Sequence, residues 1–431
     1  MQSKQDVRLK PVAAPIDRTV RLPGSKSLTN RAVLVAALAR GTSQIEQLLL
    51  ADDTRLMLDA VEALGVRVTL DEQRHHARIT GCGGHWPNGE ADLFCGNAGT
   101  AIRFLTAACC AGRGAYRLDG APRMRERPIG PLVDALRDLG AAVGYEAAPG
   151  YCPITISANG LRGGEVAFHR PPSSQFVSAL LMAAPLAMHD VMIDVAGTLP
   201  SRPYVAMTLK VMEAFGVQVI EDGFRRFIVP APQTYSAGRF KVEPDATAAS
   251  YFFAAAALTG GRVTVEGLGR ESCQGDMGFV SILEQMGCRA ERAPDRTTVW
   301  GPPGGKLRGL DVDLNDMPDV AQTLAVLAAF AEGPTRIRGV SNLRIKETDR
   351  LAALSNELEA MGVSTEIHDD GLTVTPPARP TASAVRTYGD HRMAMSFALA
   401  GLRLDGVVIR GADCVAKTFP EFFARWSELG G

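Results

Sequence analysis

The sequence has no surplus of charge of either sign: 46 lysines and arginines face 47 aspartates and glutamates in 431 residues. A surface built to coat nucleic acid needs a basic excess, so that class is excluded. Cysteine is sparse, with eight in the chain, and Cys109 and Cys110 lie within an Ala-rich apolar run. This excludes a disulfide-stapled scaffold and predicts reduced thiols in a cytoplasmic protein. Long apolar runs are missing too. The longest, such as Ala179 to Met188, are about ten residues, half of what a membrane span needs. Met1 to Lys10 is polar and lacks the apolar stretch of a secretory signal. Cys82, His85 and Cys95 come nearest to a zinc pattern, but no second tight pair completes it, and no metal or other cofactor is expected. What is present is ordinary globular material, 46% hydrophobic and 22% charged, enough for large cores. At roughly 150 residues per domain, length alone predicts about three domains.

A repeat changes that estimate. Six Ala-rich apolar segments have their first turns near Ser27, Ala98, Ser173, Asp245, Pro318 and Asp390, at successive spacings of 71, 75, 72, 73 and 72. They are apolar nearly all round, as in RAVLVAALAR and YFFAAAAL, which predicts buried helices that pack closely through alanine. Five are followed by Gly41, Gly112, Gly260, Gly333 or Gly401, predicted to close the last turn in the left-handed conformation. A second series of amphipathic helices ends at Gly65, Gly140, Gly216, Gly287 and Gly362, with Leu429–Gly430 as a sixth copy lacking its strand. β-branched runs between them, such as GGRVTVEGL, read as strands. Each repeat unit therefore holds two helices and several strands, and such units must assemble to bury both helix types. A single ring of six is one arrangement; a division near Phe240 to Asp245 favours two groups of three.

The starts of the buried helices are polar. Backbone N–H groups are unsatisfied there and the dipole is positive, so several such starts facing one place form an anion site. LPGSKSLTNR brings Lys26, Ser27 and Arg31; it lacks the glycine spacing of a nucleotide phosphate loop. FCGNAGTAIR brings Gly99, RPPSSQF brings Ser173, Ser174 and Gln175, LNDMPDVAQT brings Asp319, and YGDHRMAM brings Arg392. EPDATAAS reads as structural, with Asp245 as the cap. Outside these starts, RMRERP, NLRIKETDR and AKTFPEFF concentrate cations in a near-neutral chain.

Taken in order, LPGSKSLTNR, GNAGTAIR, RMRERPIG, SSQF, KETDR, YGDHRMAM and AKTFP resemble the 5-enolpyruvylshikimate-3-phosphate synthases, the 3-phosphoshikimate 1-carboxyvinyltransferases, across essentially the whole chain. The resemblance implies an α/β fold of two similar domains, each of three βαβαββ units around buried parallel helices, an inverse α/β barrel. Domain I would comprise residues 1–23 and 245–431, domain II residues 24–244, with the active-site cleft between them, closing on substrate. It implies that Lys26, Ser27, Arg31, Ser173, Ser174, Gln175, Ser201, Asp319, Asn342 and Lys346 bind shikimate-3-phosphate. Lys26, Gly99, Arg127, Gln175, Arg350, Arg392 and Lys417 would bind phosphoenolpyruvate. The partners would be these small anions alone, with no nucleic acid or membrane, and the protein a cytoplasmic monomer. The substrates bring roughly −5 to −6 of charge, and Lys26, Arg31, Arg127, Lys346, Arg350, Arg392 and Lys417 are there to meet it.

On this reading the catalytic residues are Asp319, Glu347 and Lys26. Glu347 would protonate the methylene carbon of phosphoenolpyruvate, while Asp319, with Lys26, would orient the attacking hydroxyl and take its proton. Glyphosate would occupy the phosphoenolpyruvate site, with Gly99 leaving it room. The alternative within the fold is a UDP-N-acetylglucosamine enolpyruvyl transferase, which carries a reactive Cys in a Gly-rich loop; Gly120 to Gly130 has none. An RNA-end-processing enzyme of similar repeats would want a basic balance. A catalytically dead relative would not need Asp319 and Glu347 together. Two positions depart from the family pattern: Phe104, where many relatives have Pro, and Pro244, where Gly is usual before Asp245.

Overall fold

The computed structural model describes residues 5–430; residues 1–4 and 431, including the first four of the N-terminal segment discussed above, lie outside the described residues. The chain divides into two compact units, Gly24–Glu243 and a second one built from the flanking segments up to Pro23 and from Pro244 onward. The length-based expectation of three domains is corrected to two, because the six repeats assemble by threes.

The six repeats share one plan. In the second, the strands Glu90–Phe94 and Arg113–Asp119 run parallel, joined by a buried helix, and Ile154–Asn159 and Ala142–Tyr145 add on antiparallel. The other four-stranded sheets of that plan repeat this order. Two first strands are exchanged along the chain. Asp17–Arg21 pairs with Arg262–Glu266 in the second unit, and Arg239–Lys241 pairs with Arg40–Glu46 in the first. The sixth sheet has only Ala384–Arg386 and Val408–Arg410 from its own repeat, and Val7–Arg8 completes it as the antiparallel third strand.

The six central helices are α1 (Lys26–Leu38), α2 (Gly99–Ala111), α3 (Ser174–Ala183), α4 (Ala246–Thr259), α5 (Ala321–Ala328, after a 3-10 turn at Pro318–Val320) and α6 (His391–Gly401). Every residue of α4 from Ala246 to Leu258 is buried. Alanine permits this because a helix without long side chains can be enclosed on all faces.

The glycine expectation needs correcting. Of the five glycines after central helices, Gly260 is the left-handed cap, and Gly41 and Gly333 also have positive φ, but they lie in or just after the strands that follow. Gly112 is extended, and Gly401 is the last residue of α6. Their role is close approach: a Cβ on Gly112 would lie 2.7 Å from Trp86, and one on Gly401 would lie 2.4 Å from the Leu9 Cβ. The first two central helices pass almost directly into the strands Arg40–Glu46 and Arg113–Asp119 and need no reversal. The outer helices do reverse, and their glycines, Gly65, Gly140, Gly216, Gly287 and Gly362, all have positive φ.

Pro244 sits where the chain enters the second unit. The Gln274 amide donates to the Pro244 carbonyl at 2.7 Å and accepts from the Ala246 amide at 3.1 Å. Asp245 caps α4 by accepting from the Ala248 amide at 2.8 Å.

Candidate active site

In the unit of Gly24–Glu243, the starts of α1, α2 and α3 carry the polar residues. Lys26 opens α1, and its Nζ lies 3.3 Å from the buried carboxylate of Asp53. Ser27 is half-buried beside it, and its carbonyl accepts from Arg31 at 2.9 Å. Arg31 is fully buried one turn further in. Its guanidinium also donates to the Thr208 hydroxyl at 2.7 Å and the Tyr204 carbonyl at 3.0 Å, and lies over the Phe104 ring at 5.0 Å.

Gly99 begins α2. A Cβ there would come within 2.5 Å of Arg127 Nη2 and 3.2 Å of Arg103 Nη1. The missing side chain is what lets two guanidinium groups sit against the helix start. Arg127 is buried and donates to both the backbone and the side-chain carbonyl of Asn97 at 3.0 Å. Ser173 caps α3, accepting from the Gln175 amide at 3.2 Å, and Ser174 is buried next to it. The Gln175 side-chain carbonyl accepts from Arg103 at 2.5 Å. Ser201 is buried in the left-handed region (φ 56°, ψ 44°), just before the helix Arg202–Ala214 that carries Tyr204 and Thr208. A serine held there costs of order 1 kcal/mol or more and marks a position that the surroundings determine.

In the other unit the centre is Arg350, which is fully buried and opens the helix Arg350–Ala360. It donates to Asp390 at 2.7 and 3.3 Å, to Glu347 at 2.9 Å and to Asp319 at 3.1 Å. Burial alone would pull its pKa down; Asp390, Glu347 and Asp319 outweigh that, and it ends above the ordinary arginine value. Asp319 also accepts from Arg392 at 2.8 Å and lies 3.9 Å from Lys346 Nζ. Glu347 lies 4.0 Å from Lys417 Nζ. Asp390 caps α6 by accepting from the Arg392 backbone amide at 2.9 Å, so one carboxylate holds the Arg350 guanidinium and the helix start that carries Arg392. Asn342 is buried at a 3-10 turn, Ser341–Ile345. Asp276 is buried nearby with its carboxylate on the Thr247 hydroxyl. Burial first, then the charge of Asp319, raises its pKa from 3.8 to about 6.

The expected residues thus fall into two groups, each assembled within its own unit. Sequence reasoning missed three that hold them, Asp53, Arg103 and Asp390, and a fourth, Asp276, that stands close enough to feel the charge of Asp319. Arg103 had a signal, since it stands one full repeat after Arg31, at the same place in its helix. Cys82, His85 and Cys95 form no metal-ligating group; among the described residues no cluster of three or more His, Cys, Asp or Glu does. The cysteines are free, and burial pushes the Cys110 thiol up to about 12, which makes it unreactive. No helix among the described residues is long and apolar enough to cross a membrane.

Residues 12–426 match the family EPSP synthase (3-phosphoshikimate 1-carboxyvinyltransferase). The chain belongs to the EPSP synthase family. Among family members named 3-phosphoshikimate 1-carboxyvinyltransferase, that of Nostoc punctiforme is 47% identical over 416 residues, covering 96% of this chain and 97% of its own. That of Sulfurovum sp. is 49% identical over 419 residues, covering 97% of each. The EPSP synthase of Acinetobacter baumannii superposes with a TM-score of 0.82 at 25% identity over 99% of this chain and 98% of that one. The fold extends to the enolpyruvyl transferase NikO of Streptomyces tendae, with a TM-score of 0.80 at 20% identity, covering 99% and 98%.

Proposed function

We propose that this member of the EPSP synthase family transfers the enolpyruvyl group of phosphoenolpyruvate to the 5-hydroxyl of shikimate-3-phosphate and releases phosphate. Family membership with relatives named for that activity supports the reaction. The observation that carries the chemistry is the Arg350 socket, in which one buried guanidinium holds Asp319 and Glu347 at 3.1 and 2.9 Å. An addition–elimination needs a proton donor, a proton acceptor and cations near the phosphate and carboxylate.

The hydroxyl oxygen bonds to C2 of phosphoenolpyruvate as C3 takes a proton from Glu347. The hydroxyl proton passes to Asp319 or through Lys26. The tetrahedral adduct then loses phosphate from C2 and a proton from C3, leaving the enolpyruvyl ether. Lys26, Gly99, Arg127, Gln175, Arg350, Arg392 and Lys417 bind phosphoenolpyruvate. Lys26, Ser27, Arg31, Ser173, Ser174, Gln175, Ser201, Asp319, Asn342 and Lys346 bind shikimate-3-phosphate. Arginine forks suit carboxylate and phosphate, and lysines add point charges.

Glyphosate competes at the phosphoenolpyruvate site, where the missing side chain of Gly99 lets the Arg127 and Arg103 guanidinium groups sit against the helix start. The enzyme works as a cytoplasmic monomer. An assay of phosphate release from the two substrates, with the enolpyruvyl product identified by mass, tests the reaction. Product formation from UDP-N-acetylglucosamine instead would overturn it. An inhibition constant for glyphosate far above the KM for phosphoenolpyruvate would remove the inhibitor assignment while leaving the reaction intact.

A further inference from the structure

The contacts between central helices of the Gly24–Glu243 unit repeat with the sequence. Arg31 of α1 lies over the ring of Phe104 of α2, and Arg103 of α2 lies over the ring of Phe176 of α3, both at 5.0 Å. The two arginines stand one repeat apart in the sequence, and so do the two phenylalanines. Each arginine therefore rests on the ring supplied by the next repeat. One repeat beyond Arg103 comes Gln175, which accepts from Arg103 at 2.5 Å. The series of equivalent positions is Arg31, Arg103, Gln175, and its two ends are residues assigned above to substrate. At the ring position the series is Ala32, Phe104, Phe176, so the first repeat brings no ring and the arrangement is an open run of two stacks.

Phe104 is fully buried, as is Arg31. The hydrogen bonds to Thr208, Tyr204 and Ser27 fix the edge of the Arg31 guanidinium, and the ring fixes its face. A desolvated cation over an aromatic face is a stronger contact than an exposed one, because water does not compete for the cation. A leucine or a proline in place of Phe104 would supply apolar volume without that face.

We propose that Phe104 is a positioning residue that sets affinity for shikimate-3-phosphate by holding the Arg31 guanidinium flat against its ring. This rests on the assignment of Arg31 to that substrate. Phe104 touches neither substrate; it acts through Arg31. Removing the ring should weaken shikimate-3-phosphate binding and leave the phosphoenolpyruvate side unchanged.

The test uses the full-length enzyme with Phe104→Leu and Phe104→Met, which keep most of the buried apolar volume, and Phe104→Tyr, which keeps the ring. Calorimetry of shikimate-3-phosphate binding is measured beside steady-state kinetics and thermal melting. For Leu and Met the expected result is a Kd for shikimate-3-phosphate raised about three- to tenfold. KM for phosphoenolpyruvate and kcat should stay within about twofold, and Tyr should retain tight binding. An unchanged Kd in the folded Leu and Met variants overturns the proposal, and so does an equal rise in the constants for both substrates, the mark of a merely structural role. If the unaltered protein fails to bind shikimate-3-phosphate, the functional reading falls first; normal binding with indifferent variants sinks the stack alone.

Discussion

In the unit of Gly24–Glu243, Arg31 rests on an aromatic face and donates to two hydroxyls and two carbonyls, and Arg103 rests on another face and donates to an amide and to the Pro128 carbonyl. In the other unit, Arg350 and Arg392 are held by carboxylates: Asp319, Glu347 and Asp390. The difference is physical. A ring or a carbonyl positions a cation at any pH. A carboxylate positions it only while charged, and it can also give or take a proton. The unit with carboxylate clamps thus couples geometry to protonation, as an acid–base step requires. The ring-held arginines Arg31 and Arg103 offer fixed donors for an anion, and it is Lys26 in that unit that lies against a carboxylate, Asp53.

The sharpest way to break this contrast is Glu347→Gln. The amide keeps the shape and can still accept from Arg350, but it has no proton to give at C3. Turnover should fall about 10²- to 10⁴-fold with both KM values little changed. Near-full kcat would mean that the carboxylates of this unit are clamps and nothing more.

Asp390→Ala comes next. It strips two hydrogen bonds from a fully buried guanidinium and uncaps α6. Removing one partner of a buried ion pair costs about 3–5 kcal/mol, because the other charge is left uncompensated. Urea unfolding measures this, and a loss below about 1 kcal/mol would show that Asp319 and Glu347 hold Arg350 unaided.

The Arg350 socket also shows what a single sequence conceals. The repeat period placed the six central helices closely, because burial leaves a regular apolar trace. The side chains that meet were another matter. Arg350 and Asp390 are 40 residues apart and belong to neighbouring repeats, and no local pattern links them. Lys346, Glu347 and Arg350 were legible through the family motif, whereas Asp390 read as a helix start and no more. Asp53 and Asp276 lie on outer elements whose motifs carry no signature, so only the folded chain brings them beside Lys26 and Thr247. The glycines misled for a related reason: the same residue serves reversal in the outer helices and at Gly260, and close approach at Gly112 and Gly401, and sequence does not separate the two uses.

Asp276 sharpens the comparison with the opposite sign. Burial, then the charge of Asp319, raises its pKa from 3.8 to about 6. Between those values the folded protein keeps a proton that the unfolded chain has released, so stability falls as pH rises through this window and the loss is complete above it. Asp276→Asn removes that penalty. At pH 7.5 the variant should be more stable by up to about 3 kcal/mol, and the gain should vanish near pH 4. Urea unfolding at the two pH values decides it; a gap that does not change with pH would mean that Asp276 carries its charge without cost.

The smallest effect belongs to the ring-clamped unit. Thr208→Val removes a hydroxyl that accepts from Arg31 at 2.7 Å and lies 2.9 Å from the Ser178 hydroxyl. The ring of Phe104 and the carbonyls of Ser27 and Tyr204 remain. Losing a hydroxyl that accepts from a charged guanidinium should cost about 1.5–3 kcal/mol, below the Asp390→Ala value, and the cost should be the same at pH 5 and pH 8 because a ring, a hydroxyl and carbonyls do not titrate there. A loss as large as that of Asp390→Ala, or one that changes with pH, would mean that Arg31 is held electrostatically after all, and the contrast between the two units would be one of degree.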